Sequence, residues 1–314
     1  MAADSPAVSR GADPRAQGLR RHQWLSVLGA AARTPRGAVG LALTLFILLI
    51  AIIGPVVAPH PPDALLTTEF AKPSSQFPLG SDFLGRDVLS RVLNGGWILL
   101  VMAVSATVIG VAAGATAGMS AAYLRGRSDG VIMRTVDVVL AFPQIVFALL
   151  LLSMLGPKLW LIVIAIGVSH APQVARVLRS ATLDVSERDF VKVAELQGMP
   201  PAKILRKEIL PNLISPIMVE AGLRLTYSII LISGLAFLGF GQAPPAPNWG
   251  YMINENQVGL PTNPWAVIVP AALIALLTIG TNTFTDAIAR VAIGVERRPE
   301  EAALVTDLGP EVGE

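Results

Sequence analysis

The sequence predicts an all-α, polytopic membrane protein with six transmembrane helices and both termini in the cytoplasm. Three observations lead there. Of 314 residues, 53% are hydrophobic and 15% charged, against about a quarter charged in an ordinary soluble domain. The charges leave long gaps free of Lys, Arg, Asp and Glu, of the length needed to cross about 30 Å of hydrocarbon. The basic residues also gather on alternate connections, as they do in inner-membrane proteins.

In order, the polar segment 1–37 carries Arg10, Arg15, Arg20, Arg21, Arg33 and Arg36 and precedes the first span, Ala38–Ala58. That layout is expected of a retained anchor, not a cleaved signal. The remaining spans are Trp97–Tyr123, Val131–Leu155, Leu159–Ala175, Leu213–Phe240 and Pro264–Arg290. The fourth is short and interrupted by His170 and Pro172. With the N-terminus inside, Arg125, Arg127, Arg134, Arg176, Arg179, Arg188, Lys192, Lys203, Arg206, Lys207, Arg290, Arg297 and Arg298 fall on the cytoplasmic side. Only Lys72, Arg86, Arg91 and Lys158 fall outside. The chain thus divides into a cytoplasmic tail 1–37, a first transmembrane helix 38–58, an extracellular loop 59–96, a five-span core 97–290 and a cytoplasmic tail 291–314. Residues 1–20 and 299–314, polar and without apolar periodicity, are expected to be disordered.

The extracellular loop closes on Leu84, Val88, Leu89, Val92 and Leu93, which share one helical face, with Arg86, Asp87 and Arg91 off it. A short amphipathic surface helix is expected, serving as an anchor or as a docking surface; Arg86, Asp87 and, in the loop 241–263, Trp249 are its candidate external residues. The second span carries Gly110, Gly114 and Gly118, a doubled small-xxx-small pattern that permits close helix approach.

The segment 190–212 is too charged for lipid and too patterned for a slack connector. Val191, Ala194 and Leu196 mark an arriving helix, which Gly198 can end in the left-handed conformation. Pro200-Pro201 turns the chain, and Pro is tolerated in the first turn of a following helix. Ile204, Leu205 and Ile209 give that second helix an apolar stripe, and Pro211 breaks it. A stiff V of two helices beneath the membrane results.

This segment resembles the coupling loop of binding-protein-dependent ABC importers, whose pattern is Glu-Ala-Ala, three residues, Gly, nine residues, an apolar and a variable position, then Leu-Pro. Ala194, Gly198 and Leu210-Pro211 match it. Lys192 and Val193 stand where the family has Glu-Ala, and Glu208 where it has an apolar residue. Leu79-Gly-Ser-Asp82, Gly85-Arg-Asp-Val-Leu-Ser-Arg91, Asp137 with Phe142-Pro143, and Phe237-Leu-Gly-Phe-Gly241 running to Asn248-Trp-Gly250 are similar to the C-type permease subunit of dipeptide, oligopeptide and nickel importers. The resemblance covers about residues 36 to 290. It implies a transport subunit, not an enzyme, multi-pass in a prokaryotic inner membrane. It implies as partners a second related permease, two ATPase subunits or one of each of two kinds, an external substrate-binding protein and membrane lipids. ATP and Mg2+ belong to the ATPases; no cofactor or metal is expected here. The implied ATPase-coupling residues are Ala194, Glu195, Gly198, Met199, Pro200, Pro201, Ile204, Leu210 and Pro211. Short peptides lead as cargo, with nickel chelates, glutathione or haem as alternatives.

The residues themselves agree on what is absent. There is no phosphate-binding Gly-x4-Gly-Lys-Ser/Thr loop, no Cys, and only His22, His60 and His170, so no zinc spacing. No basic face with base-reading residues points to nucleic acid. An ATPase-independent secondary transporter would show matching interrupted spans around midplane ion groups, and no such pair is found. Within the spans, Glu220 and Arg224 lie four apart on one helical face, so each can neutralise the other or face water. They either pack the bundle or line the translocation path with Gln173 and Tyr227. Where the family often has a Glu before Ser-Phe-Leu-Gly, this chain has Ile232.

Overall fold

The computed structural model describes residues 23–241 and 245–294. The tails expected to be disordered lie outside the described residues. Along the chain run α1 (Gln23–Arg33), α2 (Pro35–Val57), α3 (Val88–Asn94), α4 (Trp97–Leu124), α5 (Gly126–Leu140), α6 (Gln144–Leu155), α7 (Leu159–Ser186), α8 (Asp189–Leu196), α9 (Pro201–Ile204), α10 (Ile214–Phe237), α11 (Trp249–Asn256) and α12 (Trp265–Ile293). By length and composition α2, the run Val88–Leu124, α7, α10 and α12 can each cross a membrane, and α5 with α6 makes a sixth if the bent pair counts as one.

Glycines decide the tightest contact, between α4 and α7. A Cβ on Gly110 would sit 2.8 Å from the Gly167 carbonyl oxygen, and on Gly114 and Gly118 it would strike the carbonyls of Ala171 and Ala175. Three glycines four apart therefore lie on a ridge of α7 backbone at the same repeat, the close approach that small residues allow. A second pairing of this kind joins α2 to α12, where Gly40 lies against Gly280 O and Phe284 N. α1 lays Val27, Leu28 and Ala31 against Met218, Val219, Phe284, Ala287 and Ile288, so part of the expected tail 1–37 is a helix packed on α10 and α12. Thr34 caps α2 by accepting from Gly37 N at 3.0 Å, with Pro35 at the first helical position.

Four expectations are corrected. The third span is not one helix: α5 and α6 meet at 81°, because Pro143 lacks an N–H and biases Phe142 away from helical geometry. The fourth span is not short: α7 runs 28 residues through Pro172, with its glycine-lined seam against α4 alongside. The second arm of the V is irregular, with α9 of 4 residues, a π-helical turn at Leu205–Ile209 and a 3-10 turn at Leu210–Asn212. Pro211 denies the ladder a donor there. The amphipathic helix is α3, and the charged residues on it and just before it turn inward: Arg86, Asp87 and Arg91 are buried.

The bundle has two differently built ends. One, the loop end, gathers residues 58–96 and 245–263. The other, the elbow end, holds α1, α8, α9 and the C-terminus of α12.

Candidate functional site

At the elbow end, α8 is followed by Gly198 at φ +72, where glycine meets no steric penalty. Met199 N donates to Ala194 O at 3.1 Å and closes the helix end. Pro200 is extended and Pro201 starts α9. One side of this elbow is anchored: Val191, Ala194, Ile204, Ile209 and Leu213 are buried with Val174, Leu178, Val185, Ala115 and Met119 of α7 and α4. The other side is bare. Leu196 is 88% exposed, Val193 is half exposed, and Glu195, Pro200 and Pro201 face outward while Met199 is half-buried. Of the expected coupling residues, Ala194 and Ile204 are thus anchors, Leu210 and Pro211 are half-buried at the rear, and the rest form the tip. Lys192 lies 4.0 Å from Glu187, itself paired with Arg125. That contact holds the Glu187 carboxyl below its ordinary range, chiefly through the hydrogen bond from Arg125. These groups and Tyr123, Ser186 and Glu195 surround a polar cavity of about 340 Å³ beside the elbow.

Within the bundle the expected pathway residues meet. Arg224 donates to Gln173 Oε1 and pairs with Glu220 at 3.3 Å; its guanidinium lies 5.3 Å from the Tyr227 ring centre. Sequence reasoning missed what continues from there. Gln144 Nε2 donates to Gln173 Oε1 at 3.1 Å and to Ser169 O at 3.0 Å. His170 Nε2 lies 3.1 Å from Ser228 Oγ, and Ser228 Oγ lies 3.3 Å from Thr107 Oγ1. A polar string therefore crosses α4, α6, α7 and α10. The signal was present in Gln144, the first residue after the Phe-Pro break, and in Ser228, four residues beyond Arg224.

At the loop end the expected external residues form a knot. Asp82 Oδ2 accepts from Arg86 Nε at 2.6 Å and lies 3.2 Å from Arg91 Nε. Arg91 Nη2 donates to Glu255 at 2.9 Å, and its Nη1 donates to the carbonyls of Pro62 and Pro245. Asp87 caps α3 through Leu89 N and Ser90 N and lies 3.1 Å from His60 Nδ1. Trp249, fully buried, covers Gly95 and Gly96 and donates to Val92 O at 2.7 Å. Burial pushes the Glu255 carboxyl up, against the pull of Arg91 and Arg86. Glu255 was missed, although an acidic Asn-Glu-Asn in a loop free of Lys and Arg complements the basic pair opposite.

The structure is thus a bundle of membrane-crossing length with a packed elbow at one end and an ion-paired platform at the other. Residues 110–292 match the model of the binding-protein-dependent transport system inner membrane component, and residues 24–78 match the N-terminal transmembrane domain of oligopeptide transport permease C. The chain belongs to the binding-protein-dependent transport system inner membrane components, and is a non-catalytic, multi-pass inner-membrane permease subunit of a bacterial ABC importer. It is 31% identical to the dipeptide transport system permease protein DppC of Alkalihalophilus pseudofirmus, covering 84% of this chain and 87% of that one. It is 34% identical to the di/tripeptide transport system permease protein DppC of Pseudomonas aeruginosa, covering 80% and 86%. Against the glutathione transport system permease protein GsiD of Escherichia coli the identity is 35%, covering 81% and 86%. Among solved structures, the inward-facing MetNI methionine ABC transporter matches with a TM-score of 0.51 at 18% identity, over 67% of this chain and 97% of that one, a likeness of fold.

Proposed function

We propose that this subunit forms half of the translocation pathway of an importer for short peptides, with its elbow end in the cytoplasm. There the elbow seats on an ATPase subunit. A second, related permease completes the pathway, two ATPases supply ATP and Mg2+ chemistry, and an external binding protein delivers cargo at the loop end. One observation carries the coupling role: an apolar tip, Leu196 with Val193 beside it, stands bare on a segment whose opposite side is packed into α4 and α7. An exposed apolar residue on a braced mount is what a docking groove needs; on a loose loop it would move without moving the bundle. ATP-driven closure of the ATPases then displaces the two elbows and switches the bundle between two packed states. Lys192 and Glu208, where the family has Glu and an apolar residue, shift the charge pattern the ATPase groove must complement. The relatives' names span dipeptides, tripeptides and glutathione, and glutathione is itself a peptide, so short peptides are the shared class.

The test is Leu196→Glu in the co-expressed complex. A buried carboxylate without a partner is costly, so the ATPases are expected to dissociate on purification while the permease remains in the membrane. Retention of the ATPases with full peptide uptake in liposomes would overturn the elbow as the docking element.

A further inference from the structure

Two ionised side chains deep in a membrane bundle are expensive unless each is fully satisfied. Glu220 and Arg224 are 6% and 8% exposed. Arg224 is ten residues into α10, about 15 Å from its elbow end at 1.5 Å per residue, which is near the middle of the hydrocarbon. Neither group is fully bonded within the bundle. Arg224 Nε and Glu220 Oε2 are buried with no hydrogen-bond partner among the described residues, so the 3.3 Å pair is in contact without being aligned as a hydrogen bond. Gln173, not a carboxylate, takes the bond from Arg224 Nη1. Above the guanidinium lies Tyr227, 49% exposed, on the side of α10 that also exposes Ile230 and Phe237. Beside Gln173 opens a cavity of about 270 Å³ lined by Phe142, Phe147, Gln144 and Ser169, at the 81° break between α5 and α6.

We infer that Arg224, held by Gln173 and Glu220 and roofed by Tyr227, is the site at which the permease binds the terminal carboxylate of its cargo in transit. The inference rests on the peptide-importer reading and adds to it a named recognition residue. A guanidinium presents donors in a planar fork suited to a carboxylate, and Arg224 has unused donors. Glu220 keeps the empty site neutral; a zwitterionic short peptide brings an ammonium to offset that carboxylate when its own carboxylate occupies the arginine. Gln173 is held by Gln144, so the guanidinium is already oriented before cargo arrives, which lowers the ordering cost of binding. The cavity at the break is room for a cargo side chain.

The test uses the whole transporter, with its ATPases and binding protein, in liposomes, and compares uptake of alanyl-alanine with uptake of its C-terminal amide. The binding protein's affinity for each is measured separately, and it is kept saturated with either cargo. A site built to bond a charged group rejects the analogue lacking it, and one charge-assisted pair corresponds to a preference of roughly tenfold. Wild type is expected to favour the free acid by that factor, R224Q to bring the ratio to near one, and R224K to lie between. Because the readout is a ratio, a general loss of assembly does not imitate it. Should R224Q fail to insert, Q173L, which leaves both charges, is expected to lower the ratio. Unchanged preference in R224Q or Q173L overturns the carboxylate site and leaves the permease reading intact. Absence of uptake of either cargo by wild type overturns the peptide reading and the inference with it.

Discussion

Replacing Arg91 by Met should loosen the entire loop end. Arg91 is fully buried and joins four chain segments: Asp82, Glu255, and the carbonyls of Pro62 and Pro245. Methionine keeps much of the volume but leaves two carboxylates and two carbonyl oxygens short of their donor. Removing one partner of a buried ion pair costs about 3–5 kcal/mol, most of it from the charges left behind. Glu255→Gln should cost less, because burial already favours its uncharged form and an amide imitates that form. The sign follows. With the folded pKa above the ordinary 4.5, the native state holds this proton more tightly than the unfolded one, so loop-end stability falls as pH rises from 4.5 through the raised value and is flat beyond it. Hydrogen exchange of the 245–263 amides in nanodiscs reads this directly. R91M should speed exchange there by a factor of a hundred or more, about what 3 kcal/mol allows, E255Q by less, and E255Q should also flatten that pH slope. Wild-type exchange rates in R91M would refute the idea that this knot holds the platform.

Other outcomes can be checked alongside. Gly114→Val places a side chain against the Ala171 carbonyl and Val174; overpacking of about 1–3 kcal/mol should lower the midpoint of thermal unfolding in detergent, whereas Gly130→Ala, with nothing within 4 Å, should not. Trp249→Phe keeps most of the cover over Gly96 but loses the bond to Val92 O, about 1 kcal/mol, while Trp249→Ala should cost about 3–5 kcal/mol by the same measurement. Glu187→Gln breaks an ion pair exposed on both sides and should leave the unfolding midpoint where it is, since such pairs contribute little.

The long apolar runs and the spacing of Gly110, Gly114 and Gly118 made the bundle and its tightest seam readable from the chain alone, because both are local patterns on single helices. The left-handed turn at Gly198 was readable for the same reason. Pro172 and Pro143 were not separable by sequence: one is accommodated inside α7 and the other breaks α5 from α6. The difference lies in whether a neighbouring helix braces the backbone. The inward turn of Arg86 and Arg91 was only half visible: Asp82 lies in the same segment, but their second counter-ion, Glu255, is more than 160 residues away, and a helical projection of one segment cannot see it. The polar string was half visible: Glu220 and Arg224 share a helix, but Gln144, His170 and Ser228 come together only through tertiary packing.

α7 is 28 residues long, about 42 Å at 1.5 Å per residue, and the hydrocarbon is about 30 Å thick. Roughly a quarter of its length therefore exceeds what one crossing needs, and the helix runs on to within three residues of α8. Tilting such a continuous helix about its middle would swing both tips in opposite directions. A shove applied near α8 would travel along one continuous helix that contains Pro172, and the break at Phe142-Pro143 alongside is a place where the neighbouring chain can yield.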